Sequence, residues 1–273
     1  MKPESSRAPH RVLPQSLATD DWRRHLLAQA TLPPAQPRMP ILWRGQQVGS
    51  VAVALQDHPA LRALWRLDSA GLVIEDGDLT QALAVVAIAL RDAGLMKAWR
   101  SEQLAVHDEQ GNRLGTVERG AVRLLGIATE AVHLAGWHPD GRFWVQQRAF
   151  DKPTDPGLWD TLVGGMVPAG EPLEAALARE TWEEAGLVLA DLRGLAYGGC
   201  ITTERPANEL AHGHVQERLH WYTAVVPDGM VPVNQDGEVA QFRCMGGDEI
   251  ARLLQEEQFT LDAGLILAAA CAT

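Results

Sequence analysis

Residues 165–187 read G-M-V-P-A-G-E-P-L-E-A-A-L-A-R-E-T-W-E-E-A-G-L, a glycine-rich segment that changes into a helical pattern. Gly165 and Gly170 can take backbone angles that a side chain disfavours. Pro172 suits the first turn of a helix, where its missing N–H costs nothing. Gly186 stands where helices commonly end in a left-handed residue. The segment therefore predicts a loop followed by a helix that ends at Gly186.

Three glutamates of this helix, Glu180, Glu183 and Glu184, are spaced i, i+3 and i+4, so their carboxylates leave the helix on one side. Their like charges repel each other, and a divalent cation offsets that repulsion. Carboxylates at this spacing suit Mg²⁺ or Mn²⁺, ions that also bind substrate phosphates. Arg179 follows Glu171 by about two helical turns, so these two residues can pair and brace the loop against the helix.

A solvated acidic face is the ordinary explanation for neighbouring glutamates on a surface helix. That explanation does not account for the glycine-rich loop, Glu171, Arg179 and Gly186 at fixed offsets from the glutamates. We therefore favour metal binding over surface charge alone.

The segment resembles the Nudix box, G-x5-E-x7-R-E-U-x-E-E-x-G-U, in which U is aliphatic. The positions that match in register are Gly165, Glu171, Arg179, Glu180, Glu183, Glu184, Gly186 and Leu187. Thr181 departs from the pattern, since the family prefers an aliphatic residue there. The resemblance implies an α/β/α sandwich with a mixed sheet and Mg²⁺- or Mn²⁺-dependent hydrolysis of a small-molecule diphosphate.

The resemblance also assigns functions to individual residues. It implies metal ligation by Glu180, Glu183, Glu184 and the Gly165 carbonyl, structural functions for Glu171 and Gly186, and catalytic functions for Arg179, Glu183 and Glu184. Any of the coupled carboxylates, or Glu238 before a late strand, would serve as the base, because interacting acids share their protons.

Charge is distributed unevenly along the chain, whose net charge is −11. Residues 130–273 hold 22 acidic and 9 basic side chains. Such an acidic half repels nucleic acid and free phosphates, so a phosphorylated substrate would need a metal to enter. We expect no nucleic-acid partner; acidity that only keeps the protein in solution remains compatible with this reading.

No apolar run is long enough to span a bilayer, so we expect no membrane partner. Residues 1–17 are rich in proline and polar residues, which is typical of a disordered tail rather than a secretory signal. Cys200, Cys244 and Cys271 are far apart and form no C-x-x-C pair. A disulfide framework or zinc site is not indicated, and a cytoplasmic location is expected.

Residues 18–127 are predicted to form an α+β accessory domain, followed by a Nudix domain over residues 128–273; the whole chain is then α+β. We expect hairpins at Gly45 and at residues 108–112, helical spacing over residues 58–67, a buried helix over 79–93 and a short helix over 119–125. This half contains no phosphate loop, no nucleophile with a base and no metal-ligand spacing.

Three short motifs of this half lie at Val48-Gly49, at residues 99–102 (W-R-S-E) and at residues 118–121 (E-R-G-A). They resemble the N-terminal domain of a Nudix branch related to fungal thiamine pyrophosphokinase and to plant chloroplast Nudix proteins. That branch implies a thiamine-type diphosphate substrate, including damaged analogues, cut to a monophosphate and phosphate. Asp262 stands where the branch tends to have asparagine.

Four further residues are candidates for substrate binding. Arg148 ends a predicted strand and can reach a phosphate, although a solvated arginine is the commoner case. Trp159 belongs to a W-[DN] pair that precedes the box in the family and can border a ring pocket or simply pack. Glu204 and Arg205 fall in a predicted polar loop over residues 203–215, which is long enough to cover a substrate.

The remaining predictions concern the last third of the chain. We expect strands over residues 192–202 and 217–226, a helix over 249–256 capped by Asp248, and a terminal apolar helix over 259–273. His212 and His214 are interpreted as ordinary loop histidines because no third ligand is near.

Two other functions remain open. One is hydrolysis of ADP-ribose, NADH or another nucleoside diphosphate compound, with the accessory domain forming homodimer contacts. The other is a nucleotide-binding module without catalysis, which the intact set of box glutamates disfavours. An isomerase on the same fold lacks its characteristic cysteine and glutamate pairing here.

Overall fold

A computed structural model describes residues 20–74 and 77–271; the predicted disordered tail of residues 1–17 lies outside the described residues. The helices are α1 (Asp20–Ala30), α2 (Leu79–Asp92), α3 (Leu173–Ala185), α4 (Gly247–Gln255) and α5 (Leu261–Ala270). The first six strands are β1 (Arg38–Trp43), β2 (Gln46–Ala52), β3 (Arg66–Leu67), β4 (Leu72–Ile74), β5 (Gln103–His107) and β6 (Arg113–Glu118). The others are β7 (Thr129–Trp137), β8 (Phe143–Arg148), β9 (Trp159–Asp160), β10 (Val163–Met166), β11 (Arg193–Pro206), β12 (His214–Val225) and β13 (Val239–Met245).

The N-terminal half contains a four-stranded sheet of order β2-β1-β4-β3 and the separate hairpin β5-β6. Strands β1 and β2 turn through Arg44 and Gly45, both with positive φ, as the sequence predicts. Helix α2 packs on β6, and Asp78 caps it by accepting from the Gln81 N–H. A core of buried aliphatic and tryptophan side chains drawn from residues 41–127 joins these elements.

The helix predicted over residues 58–67 is wrong. The Leu61 and Arg62 N–H groups both donate to the His58 carbonyl, and Leu64 donates to Leu61, so the segment forms successive turns before β3. The predicted helix over residues 119–125 is reduced to a short 3-10 turn, Arg119–Ala121, followed by turns.

The C-terminal half is built on a seven-stranded mixed sheet of order β11-β12-β7-β8-β13, to which β10 adds beside β7 and β9 beside β8. Strand β12 runs parallel to β7, and the other pairs are antiparallel. Helix α3 packs against β7 and β10, whereas α5 packs across β7, β9, β11 and β12 and also contacts α1. Ala176 and Leu177 of α3 share a core with Leu134 of β7, and Ile266 of α5 packs with Ala131 and Ala135 from the other face of that strand. The predicted α/β/α sandwich is therefore present.

Two predictions in this half need correction. The loop is shorter than the predicted range of residues 203–215, since β11 continues to Pro206 and β12 begins at His214, and Glu204 pairs with Gln216 in the ladder. Only residues 207–213 connect the two strands. Asp248 lies inside the first turn of α4, whose N-cap is Gly246.

No helix in the described part of the chain is long and apolar enough to cross a membrane. The boundary between the halves near residue 127 stays a prediction, although the residue ranges of the cores and the sheets agree with it.

Candidate active site

Helix α3 lies between two glycines with backbone conformations that are unfavourable for residues with a side chain: φ is +87° at Gly170 and +62° at Gly186. Ala176 and Leu177 bury one face of the helix against the sheet, which leaves the glutamate face directed away from this core. Thr181, the departure from the box pattern, is fully buried, and its hydroxyl donates to the Leu177 carbonyl at 2.6 Å. The threonine is thereby accommodated with its polar atom satisfied.

Arg179 binds three carboxylates at once. Its Nη2 donates to Glu171 at 2.9 Å and its Nε contacts both oxygens of that carboxylate at 3.2 Å, which is the pairing expected from the sequence. Its Nη1 donates to Glu180 at 2.8 Å and to Glu183 at 2.9 Å. The guanidinium thus holds the loop acid and two helix acids in one arrangement.

Glu184 is the buried member of the set, with 3% of the residue exposed. Its Oε2 accepts from the Gly164 N–H at 2.8 Å and from the Gln146 amide at 2.9 Å. Burial, and after it the charge of Glu180, raises the pKa of Glu184 to about 8, and burial also raises the pKa of Glu180. The site therefore disfavours accumulated negative charge, which a cation would offset.

Gly165 is where the helix acids approach the loop backbone. A Cβ built on Gly165 would lie 2.1 Å from the Glu180 carboxyl carbon, so only glycine leaves room for that carboxylate. The donors here are all oxygens, a set that fits Mg²⁺ or Mn²⁺. Within the described residues, no three His, Cys, Asp or Glu side chains are already arranged to hold a metal, since Arg179 binds Glu180 and Glu183.

A cavity of about 600 Å³ lies next to these carboxylates, within the usual size of a small-molecule site. Both halves of the protein contribute to it. From the N-terminal half it is lined by Lys97, Arg100, Glu102, Arg119 and Arg123, and from the C-terminal half by, among others, His133, Arg148, Asp160, Gly165, Glu180, Glu183, Arg205, Glu217, Glu238 and Asp262.

The structure places two of the sequence candidates in this cavity next to the box. Arg148 donates to the Thr154 carbonyl at 3.0 Å, and its Nη1 lies 3.4 Å from Asp160. Glu238 contacts the Lys152 ammonium. Burial opposes the charge of Glu238, but the Lys152 contact outweighs it and lowers the pKa of that carboxyl below its usual range.

Two other candidates lie elsewhere. Trp159, predicted to border the substrate, is 6% exposed, packs in the core with Phe259 and is not among the described residues that line the cavity. Glu204 contacts His214 and Gln216 instead of facing the cavity. Glu204 lies in strand β11 and not in a loop, and its neighbour Arg205 on that strand lines the cavity.

Several cavity residues were missed by the sequence analysis. His133 and Asp160 line it, with the His133 Nδ1 3.1 Å from Thr161 and 4.0 Å from the Asp160 carboxylate. Asp160 was detectable as the second residue of the W-[DN] pair. Arg123 and Glu217 come from segments far apart in sequence and carry no local motif.

Comparisons with known proteins agree with this geometry. A family model described as NUDIX domain matches residues 129–265. Nudix hydrolase 20, chloroplastic, of Arabidopsis thaliana is 31% identical over 188 residues, which cover 67% of this chain and 49% of that protein. Nudix hydrolase 24, chloroplastic, of the same plant is 31% identical over 190 residues, covering 67% and 51%. The present chain spans about half the length of these two relatives.

Among solved structures, the crystal structure of DR0079 from Deinococcus radiodurans matches with a TM-score of 0.51 at 18% identity and covers 63% of this chain and 100% of that one. At that identity the likeness shows the fold alone. The predicted α/β/α fold is confirmed. Because the family model matches half of its residues, the chain belongs to the Nudix family.

Proposed function

We propose that the protein is a Mg²⁺- or Mn²⁺-dependent hydrolase that cleaves the P–O–P bond of a small-molecule diphosphate. The observation that carries the proposal is that Glu180 lies against Gly165, Glu184 accepts from the adjacent Gly164 N–H, and Arg179 holds Glu183 beside Glu180, next to a cavity of about 600 Å³. Water attacks one phosphorus and the bridging oxygen leaves, which yields a phosphomonoester and phosphate.

The side chains of the site have separate roles in this reaction. Glu180, Glu183, Glu184 and the Gly165 carbonyl would hold the cation, which when bound neutralises phosphate charge and acidifies water. Arg179 keeps the acids in position, and Arg148 offers its guanidinium to a phosphate oxygen. A box carboxylate or Glu238 receives the proton of the attacking water.

For the group attached to the diphosphate we propose a thiamine-type molecule, damaged analogues included. Two motifs that carry this resemblance lie at the cavity, since Arg100, Glu102, Arg119 and Gly120 line it. The alignments to the two plant relatives cover more of the chain than its C-terminal half, so they extend into the N-terminal half. Both observations support an accessory domain that takes part in substrate binding. A cytoplasmic location belongs to the same proposal.

Two alternatives remain as outcomes of the test. ADP-ribose, NADH or another nucleoside diphosphate compound would use the same carboxylates with a different head group. A module that binds a nucleotide without cutting it would use the cavity alone.

The test is release of phosphate and of monophosphates from thiamine diphosphate, its oxidised analogues, ADP-ribose, NADH and nucleoside triphosphates, with Mg²⁺ and with chelator. We expect metal-dependent release that is highest with the thiamine compounds and is lost in Glu183→Gln. Glu109→Gln, an exposed glutamate in the turn between β5 and β6, is the matched control. Preference for ADP-ribose or NADH would overturn the substrate assignment alone, and no release from any compound would favour the binding module.

A further inference from the structure

Part of the cavity is lined by a second polar cluster, separate from the box acids. It consists of Glu217 on β12, Arg205 on β11, Asp262 in the first turn of α5 and Arg123 from the N-terminal half. The strand ladders locate it. Gly165 pairs with Val132 and Glu217 with Thr129, so the two sites are separated by two strand spacings and three residues, about 14 Å. That separation leaves room for a diphosphate, a short linker and a ring.

The cluster contains hydrogen-bonding atoms that the protein does not satisfy. Arg205 Nε is buried without a hydrogen-bond partner in the described residues, and so is Asp262 Oδ1, whose ion-pair contact to Arg205 Nη2 is 3.9 Å long. Glu217 is 6% exposed, and the hydrogen bond found for it is a long one of 3.3 Å from Thr129. Buried polar atoms are ordinarily paired, and the two side chains that carry these unpaired atoms line the cavity and remain partly exposed, which points to a ligand.

The fold holds this cluster in place from both halves. The Arg123 carbonyl accepts from the His214 N–H at 2.7 Å, and the Arg123 guanidinium pairs with Glu209 in the connection between β11 and β12. Arg123 therefore has an ion-pair partner, Glu209, that is not part of the cluster. The open hydrogen-bonding capacity that remains lies on the Arg205 guanidinium, for which no hydrogen bond is found among the described residues, and on the carboxylates of Glu217 and Asp262.

This pattern selects the chemistry of its ligand. Carboxylates accept from N–H groups and repel anions, and a guanidinium N–H donates to a lone pair. A head group that satisfies both needs an amino donor beside an unprotonated ring nitrogen. An oxo group in place of the amino group would set lone pairs against the carboxylates.

We propose that Glu217, Asp262 and Arg205 form a head-group subsite for a nitrogen heterocycle that carries an exocyclic amino group next to a ring nitrogen. The two carboxylates accept from the amino group, and the Arg205 guanidinium donates to the ring nitrogen. This subsite rests on the proposed function in that it names the group attached to the diphosphate, but its test requires no turnover.

The test is isothermal titration calorimetry on the full chain in chelator at pH 8.5. The probes are three pairs that differ by amino against oxo: thiamine and oxythiamine, adenosine and inosine, cytidine and uridine. We expect the amino member of at least one pair to bind about tenfold or more tightly, as hydrogen bonds to charged groups allow. Glu217→Gln is expected to reduce that ratio to about threefold or less, because a neutral amide meets either group.

Asp262→Asn provides a second variant should Glu217→Gln fail to fold, and Glu109→Gln is the control expected to keep the ratio. Equal binding within every pair, a ratio that survives both cavity variants, or no binding of any probe at millimolar concentration overturns the subsite. Metal-dependent phosphate release without an amino preference overturns the subsite alone. An amino preference without metal-dependent release of phosphate or monophosphate from any compound leaves the subsite standing and overturns the hydrolase proposal.

Discussion

Gly165 is the residue at which the absence of a side chain has a chemical consequence. A Cβ there would meet the Glu180 carboxyl carbon at 2.1 Å, and that carboxyl is the end of a flexible side chain rather than rigid backbone. A methyl group at 165 would therefore move the acid and leave the fold in place.

We expect Gly165→Ala to lower metal-dependent phosphate release by about 10- to 100-fold, the usual range when a group that positions a metal ligand is changed. The melting temperature without metal should change little, while its rise on adding Mg²⁺ should shrink. Gly246→Ala, which places its methyl in open space at a φ of −75°, serves as the control. Full activity with an undiminished Mg²⁺ response in Gly165→Ala would contradict this account of Gly165.

Glu217 is buried, and burial opposes the negative charge that its carboxylate would use in the proposed subsite. Burial, followed by the negative charge of Asp262, raises its pKa to about 7, against the opposing effects of Arg123, Arg205 and the Thr129 hydroxyl. An acid with a raised folded pKa holds protons that the unfolded chain has released, so folding stability falls as pH rises from the unfolded to the folded pKa. The window here is about pH 4.5 to 7.

Glu217→Gln should therefore become more stable relative to the parent across that window, reaching a gain on the order of 3 kcal/mol near pH 8. Urea unfolding at pH 5, 6, 7 and 8 measures the difference, and Glu109→Gln should show no such trend. A difference independent of pH would mean that Glu217 is not held in its neutral form by the fold. A gain in folding stability on removing the acid is expected if Glu217 serves binding and not stability.

At the scale of single elements, the stability of α3 depends on the residue at its C-terminal end. Gly186 has a φ of +62°, and its Cβ would lie 2.7 Å from the Val233 carbonyl. Gly186→Ala therefore combines a left-handed alanine, which costs about 1–2 kcal/mol, with a backbone contact. Gly141→Ala at φ +90° carries the same kind of backbone cost with nothing within 4 Å. Denaturant unfolding should show a larger loss of free energy at 186 than at 141, and equal losses would exclude the contact.

The elements also show what a sequence can predict. Helix α3 follows from its glycines and the box spacing, which are local signals. The segment over residues 58–67 has apolar residues at helical spacing too, yet it folds as turns that lead into β3, because Arg66 and Leu67 pair with β4. Residues 203–206 look like a loop because they are mostly polar, but the ladder with β12 makes them strand.

Local sequence signals predict some residues of the site and miss others. The box acids, Arg148 and Glu238 were predicted because each lies in or beside a recognisable motif. Glu217 and Arg123 were not, because a long-range strand ladder and the packing of two halves bring them to one cavity. Spacing along the chain carries no information about such contacts.

At the scale of the whole molecule, the two halves share hydrogen bonds as well as the cavity. The Leu32 N–H donates to the Glu204 carbonyl at 2.8 Å, and the Ala169 N–H donates to Gln103 at 2.8 Å. The second bond ties the glycine-rich loop before α3 to strand β5. The N-terminal half therefore helps to fix the position of the loop that precedes the box helix.

The N-terminal half brings two exposed cations, Lys97 and Arg100, to the wall of an otherwise acidic cavity, and no ion pair to either side chain is found among the described residues. Unpaired cations at such a wall attract a diphosphate before it reaches the box acids.

Lys97→Ala combined with Arg100→Ala should raise the KM for the preferred diphosphate about tenfold, leave kcat within about twofold and weaken the dependence of kcat/KM on salt. Arg62→Ala, an exposed arginine of the same half that does not line the cavity, should change none of these. If KM stayed constant in the double variant, these two cations would have no part in capturing the phosphates; if kcat fell instead, they would act in the transition state.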